Sequence, residues 1–140
     1  MTDSLGKLDH VGYLVADLDA AVAEFQQRFD LQLVRPVILP QFSILGHYLG
    51  TGTGNIELFT ITDEEVLADR LGAERILLDH VGFEVEDIVT KAAELAGAGV
   101  RFSGPDRREE VTEPIELGGI RHLWTVPETS AGQSLQLLQR

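Results

Sequence analysis

Two histidines open the chemistry of this chain. Leu8-Asp9-His10-Val11-Gly12-Tyr13 recurs seventy residues on as Leu78-Asp79-His80-Val81-Gly82-Phe83. Further matches follow the hexamer: Val15 with Val85, Asp17 with Asp87 and Glu24 with Glu94. A repeated Leu, Val or Gly is what a repeated packing need leaves behind, but duplicated packing does not require an imidazole. Two more polar residues stand at matching places near the end of each copy. Glu57 lies between Ile56 and Leu58, and Gln136 between Leu135 and Leu137. Period-2 alternation turns each of them away from its apolar neighbours, toward the other face of a strand. Read singly, His10 is a half-exposed strand residue and Glu57 a solvated one; the repeat is what argues for ligands. If both copies contribute to one curved sheet, His10, Glu57, His80 and Gln136 converge on one point. Two imidazoles, a carboxylate and an amide oxygen suit one divalent ion of the Zn, Co, Ni, Mn or Fe(II) type. The set is too nitrogen-rich for calcium.

Each copy has to position its donors with the same elements. Leu8 to Val15 alternates as a strand, with His10, Gly12 and Leu14 on one face and Val11, Tyr13 and Val15 on the other. Asp17 stands where a helix N-cap belongs, and Leu18, Ala21, Val22 and Phe25 follow at helical spacing, to about Phe29-Asp30. In the second copy Asp87 caps a helix carrying Ile88, Ala92 and Leu95, which stops at Gly97-Ala98-Gly99. Strands are predicted over about 32–37, 42–50 and 55–61, then over about 100–103, 119–126 and 134–139. The acidic run Asp63-Glu64-Glu65 suits the first turn of a short connecting helix. The fold class is therefore α+β, one domain over 1–140 built from two βαβββ modules. Module one covers about 5–62, a linker helix about 63–75 and module two about 76–140. The stretch Asp106-Arg107-Arg108-Glu109-Glu110 with Glu113-Pro114 reads as a solvated loop.

Composition narrows the function. A chain of 140 residues has enough core to fold without a staple. It has no cysteine, which excludes disulfides, thiolate zinc sites and cysteine nucleophiles. With 11 basic against 23 acidic side chains its formal charge is −12, and such a surface repels nucleic acid and anionic lipid alike. Residues 1–7 carry neither a basic n-region nor an apolar h-region, and no apolar run approaches the roughly 20 residues of a membrane span. The expectation is a cytoplasmic protein with a small-molecule substrate and no nucleic-acid or membrane partner. Phosphate loops, Gly-rich dinucleotide fingerprints and nucleophile elbows are missing from the sequence.

The paired His10 and His80 strands, with Glu57 and Gln136 closing each module, resemble the vicinal oxygen chelate superfamily, which holds glyoxalase I, extradiol dioxygenases and fosfomycin and bleomycin resistance proteins. The Asp-His-Val opening and the run Gly118-Gly119-Ile120-Arg121-His122-Leu123-Trp124-Thr125-Val126-Pro127, then Ser130 and Gly132, are similar to its methylmalonyl-CoA epimerase-like branch. The resemblance implies a cup-shaped, eight-stranded mixed sheet with helices on the convex side. It also implies one divalent metal on His10, Glu57, His80 and Gln136, and a homodimer. In the epimerases the first closing position is Gln and the second Glu, so Glu57 and Gln136 exchange those roles. The epimerases also place a second acid on the strand before the first closing ligand. Here 42–50 has no acid and offers Ser43 and His47.

A site of this make-up favours proton abstraction next to a carbonyl, hence an isomerase, epimerase or lyase of the glyoxalase-like type acting on a small carbonyl or thioester substrate. Glu57 is the first candidate base and His47 the second, while Arg121 is a candidate to bind a substrate carboxylate or phosphate. His122 and Trp124 serve equally well as packing residues. Two other classes remain open: an Fe(II)-dependent dioxygenase on His10, His80 and Glu57, and a non-catalytic, drug-sequestering protein of the same fold.

Overall fold

A computed structural model describes residues 5–140; Met1, Thr2, Asp3 and Ser4, part of the stretch read for targeting, lie outside the described residues. The fold class is α+β, with strands in mixed parallel and antiparallel pairing and, among the described residues, three α-helices. Contacts divide the chain into two compact units, His10–Asp79 and residues 5–9 with His80–Arg140.

In the first unit, β1 (Lys7–Val15) leads through Asp17 into α1 (Leu18–Phe29). The Asp17 carboxylate accepts from the Ala20 backbone N–H at 3.1 Å, satisfying a donor that the helix start leaves orphaned. The chain returns as β2 (Gln32–Leu39), β3 (Ile44–Gly50) and β4 (Asn55–Ile61), then α2 (Glu64–Leu71). The pairing order is β2-β3-β4-β1, with β1 and β4 parallel and the others antiparallel. Alternation sorts the apolar residues into two clusters, one per face. Val15, Leu49 and Leu58 pack against Leu18, Ala21, Val22 and Phe25 of α1. Leu14, Ile44, Phe59 and Ile61 face the other way and are covered by Val66, Leu67 and Leu71 of α2. Gly46 lets β3 and β4 come together: a Cβ there would meet the Leu58 carbonyl oxygen at 2.6 Å and the Phe59 Cβ at 2.8 Å.

The second unit repeats the plan with β5 (Ile76–Glu84), α3 (Ile88–Gly97), β6 (Phe102–Ser103), β9 (Ile120–Thr125) and β10 (Ser134–Gln139). Its order is β5-β10-β9-β6, with β5 and β10 parallel. Leu123, Leu137 and Phe102 pack on Ile88 and Ala92 of α3. Two short strands join the eight that were expected: β7 (Glu110–Val111) beside β6, and β8 (Ile115–Leu117) beside β9. β6 is shorter than the expected 100–103. The Val100 N–H bonds back to the Leu95 carbonyl at the end of α3, and the Arg101 N–H bonds to Thr129 Oγ1, so both are spent before the ladder begins. Among the described residues no helix is long and apolar enough to cross a membrane.

Candidate functional site

In the first unit His10 and Glu57 come from neighbouring parallel strands. Gly12 pairs with Glu57, so the side chain of Glu57 stands over a residue that has none, on the face that also carries His10. The two functional groups meet there, His10 Nε2 lying 3.6 Å from Glu57 Oε1. That is long for a hydrogen bond. It is close to the separation, about 3.4 Å, of two tetrahedral ligands each 2.0–2.2 Å from a shared ion. Both residues are buried, His10 at 1% exposure. Tyr48 pairs with Glu57 from β3 and sets its ring edge-on to His10, centroids 5.3 Å apart. Arg35 pairs with Tyr48 from β2, its guanidinium carbon 4.2 Å from the tyrosine ring centroid. The same face then continues downward into the apolar cluster under α2.

The second unit uses the same register. His80 pairs with Ser134 and Gly82 with Gln136, as His10 pairs with Asn55 and Gly12 with Glu57. His80 and Gln136 are both buried. Trp124 pairs with Gln136 from β9, in the place Tyr48 takes beside Glu57, and Ser103 pairs with Trp124. His122 stacks on Trp124, and its Nδ1 accepts a hydrogen bond of 2.8 Å from Gln136 Nε2. An amide nitrogen only donates, so Nδ1 is the unprotonated ring nitrogen and the Gln136 amide is held with its oxygen turned elsewhere. That oxygen, Oε1, is buried with no hydrogen-bond partner among the described residues. A buried acceptor left unmade costs about 1–3 kcal/mol, and a cation or a bound donor offsets that cost. The donor chemistry of each unit, one imidazole and one oxygen, therefore fits a divalent ion.

Two residues expected at the site lie elsewhere. His47 pairs with Leu58, which puts it on the face of β3 and β4 opposite Glu57. Arg121 pairs with Gln139 and Glu116, on the α3 side of β9, and borders a groove with Val89, Ala92 and Phe102. It does not share a face with Gln136 or His122. Three residues that sequence reasoning did not assign, Tyr48, Arg35 and His122, stand on the donor faces instead. His122 reads equally well as a packing residue, and nothing in the sequence singles out Tyr48. Nothing in the sequence singles out Arg35, because the bulge between Leu33 and Arg35 exists only in the pairing with β3.

The profile of the glyoxalase/bleomycin resistance protein/dioxygenase superfamily matches residues 9–114. No curated protein matches the chain in sequence. Among solved structures, methylmalonyl-CoA epimerase from Mycobacterium tuberculosis superposes with a TM-score of 0.82 at 24% identity, over 99% of this chain and 91% of that one. A hypothetical protein from Bacillus halodurans gives 0.81 at 21% identity, over 96% and 94%. A variant of Streptomyces coelicolor methylmalonyl-CoA epimerase, in complex with 2-nitronate-propionyl-CoA, gives 0.79 at 22%, over 97% and 98%. These likenesses show a common fold. With the family profile spanning the first module and much of the second, the chain belongs to the glyoxalase/bleomycin resistance protein/dioxygenase superfamily, the vicinal oxygen chelate group.

Proposed function

We propose that this protein is a metal-dependent isomerase of the epimerase type that moves the proton beside the carbonyl of a thioester or similar small substrate, with His10, Glu57, His80 and Gln136 as the ligands of one divalent ion. The observation that carries the reading is the duplicated register, in which a His and, opposite the Gly two residues on, an oxygen donor recur on parallel strands of both units. The 3.6 Å approach of His10 to Glu57 and the orphaned Gln136 Oε1 support it. The substrate class follows the relatives: a methylmalonyl-CoA epimerase has been solved in complex with methylmalonyl-CoA. A divalent ion bound by these residues supplies Lewis-acid stabilisation of the negative charge that develops on a carbonyl oxygen.

The chain's own residues do the rest. Glu57 brings the only formal negative charge of the four donors, and it is the carboxylate that takes the proton. A base must lie within hydrogen-bond reach of the proton it removes, and such a group contributes typically 10²–10⁴-fold. Tyr48 stands directly beside it and brings a phenol to the same face. The apolar cluster below, closed by α2, keeps water from that end of the face. A homodimer is part of the proposal and is checked by light scattering.

The test is solvent exchange. Metal-loaded protein incubated with methylmalonyl-CoA in D2O is expected to incorporate deuterium at the carbon beside the thioester. His80→Ala is expected to lose both the metal and the exchange. Metal retained in His80→Ala overturns the ligand set, and no exchange by loaded protein overturns the isomerase reading. The two-imidazole, one-carboxylate composition of His10, His80 and Glu57 favours one second reading, an Fe(II) dioxygenase, which predicts oxygen uptake with a catechol instead.

A further inference from the structure

Arg35 reaches the Glu57 face through a defect in the ladder. Leu33 pairs with Leu49, on the face that α1 covers, and simple alternation from there would pair Arg35 with His47 on that same side. The register shifts between Leu33 and Arg35, one extra residue is absorbed, and Arg35 pairs with Tyr48 instead. A bulge that re-aims one side chain is a recurrent device beside active sites. Here the re-aimed group is a guanidinium resting 4.2 Å from the Tyr48 ring centroid. Stacking of this kind holds the planar fork in place and leaves its N–H edge available to an anion.

The charge balance makes the placement unusual. Acidic side chains outnumber basic ones 23 to 11, yet among the described residues no carboxylate pairs with Arg35. A −12 chain repels anionic ligands at long range, so an uncompensated cation on this face changes what the face admits. Arg35 is two strands from Glu57 in the order β2-β3-β4, a backbone separation of about 10 Å at the usual strand spacing.

We propose that Arg35 is the specificity-determining contact for a second, distal anionic group of the substrate, a phosphate or carboxylate carried about 10 Å from the reacting carbonyl. The inference rests on the reading above, which places the reacting end at Glu57. A carboxylate on the carbon next to the carbonyl lies too close to that end to reach Arg35. A terminal carboxylate on a longer acyl chain satisfies the distance when extended, and the phosphates of a coenzyme A carrier satisfy it with the pantetheine arm folded back toward the sheet.

The experiment is calorimetric titration of the metal-loaded protein with coenzyme A, with pantetheine, which lacks the phosphates, and with azelate as the long-chain dicarboxylate probe. Arg35→Gln is expected to weaken coenzyme A binding about tenfold and to leave pantetheine unchanged, since charge-assisted hydrogen bonds are worth at least that factor. Arg35→Lys recovers only part of the loss, because an ammonium keeps the charge without the fork. A tenfold loss confined to azelate identifies the carboxylate source instead and supports the same contact. Equal affinities of wild type and Arg35→Gln for all three probes overturn the proposal. Metal content is measured on the same samples. Protein that binds no metal but still shows the Arg35-dependent loss refutes the metal reading and leaves the anion contact standing; loaded protein without that loss refutes the contact alone.

Discussion

The two units carry one arrangement with two chemistries. In His10–Asp79, a buried imidazole is followed two residues later by a glycine that pairs with Glu57, and an aromatic residue, Tyr48, flanks the carboxylate. In the other unit His80, Gly82, Gln136 and Trp124 take the corresponding places. The backbone relation survived duplication while the closing donor diverged into a carboxylate on one side and an amide on the other. The surroundings diverged with it. Glu57 has the Tyr48 phenol beside it and Arg35 beyond, groups suited to handling protons and charge. Gln136 has the stacked pair His122 and Trp124, and His122 fixes which end of the amide is presented. Under the proposed function the first unit is the one that reacts, and the second the one that holds.

That contrast is open to direct attack. The largest effect is expected from Glu57→Gln, which makes the two closing residues alike and removes the proposed base: exchange in D2O should fall about 10²–10⁴-fold. Gln136→Glu, measured beside it, should keep the metal and lose far less activity; equal losses would erase the division of labour. Packing should not follow the division. Leu58 and Leu137 are fully buried and sit next to Glu57 and Gln136. Leu58→Ala and Leu137→Ala should each cost about 2–5 kcal/mol in chemical denaturation, and a large gap between them would mean the repeat no longer holds in the cores.

A smaller effect is expected from His122→Phe, which keeps a ring against Trp124 but frees the Gln136 amide. Metal affinity should drop about 10–100-fold in a chelator competition, the scale on which outer partners tune a ligand. The smallest concerns the helix caps. The Thr90 backbone N–H, and then its hydroxyl, bond to Asp87 at 3.1 Å and 3.0 Å and hold its carboxyl below the ordinary value of 3.8. A depressed folded pKa stabilises above the unfolded value and is lost as pH falls through the folded one. The melting temperature of wild type should therefore exceed that of Asp87→Asn at pH 6, with the gap closing in acid below the ordinary value of 3.8. A gap that persists unchanged in acid would remove the carboxylate from the account.

Much of the architecture was legible because it is written in local periodicity. The caps at Asp17 and Asp87, the alternation of β1 and β5, and the closing strands of Glu57 and Gln136 all follow from spacing along the chain. The short strands β7 and β8 were not foreseen. Glu110–Val111 and Ile115–Leu117 have too few residues for a periodic signal, and their pairing with β6 and β9 makes them strands. The faces of His47 and Arg121 were not legible for a related reason. Alternation says that neighbouring residues part company, but not which of the two faces belongs to the helix until a partner strand is assigned. Pairing with Leu58 and with Gln139 decides it.

By itself the amino-acid order determined the duplication, the kinds of donor available and the strand on which each one rides, since residue type and period-2 geometry are properties of a chain segment alone. Tertiary structure decided the neighbours: the glycine opposite each closing residue, the amide held by His122, and the bulge that carries Arg35 round to Tyr48. Cross-strand register depends on two distant segments at once, and no reading of either segment separately contains it.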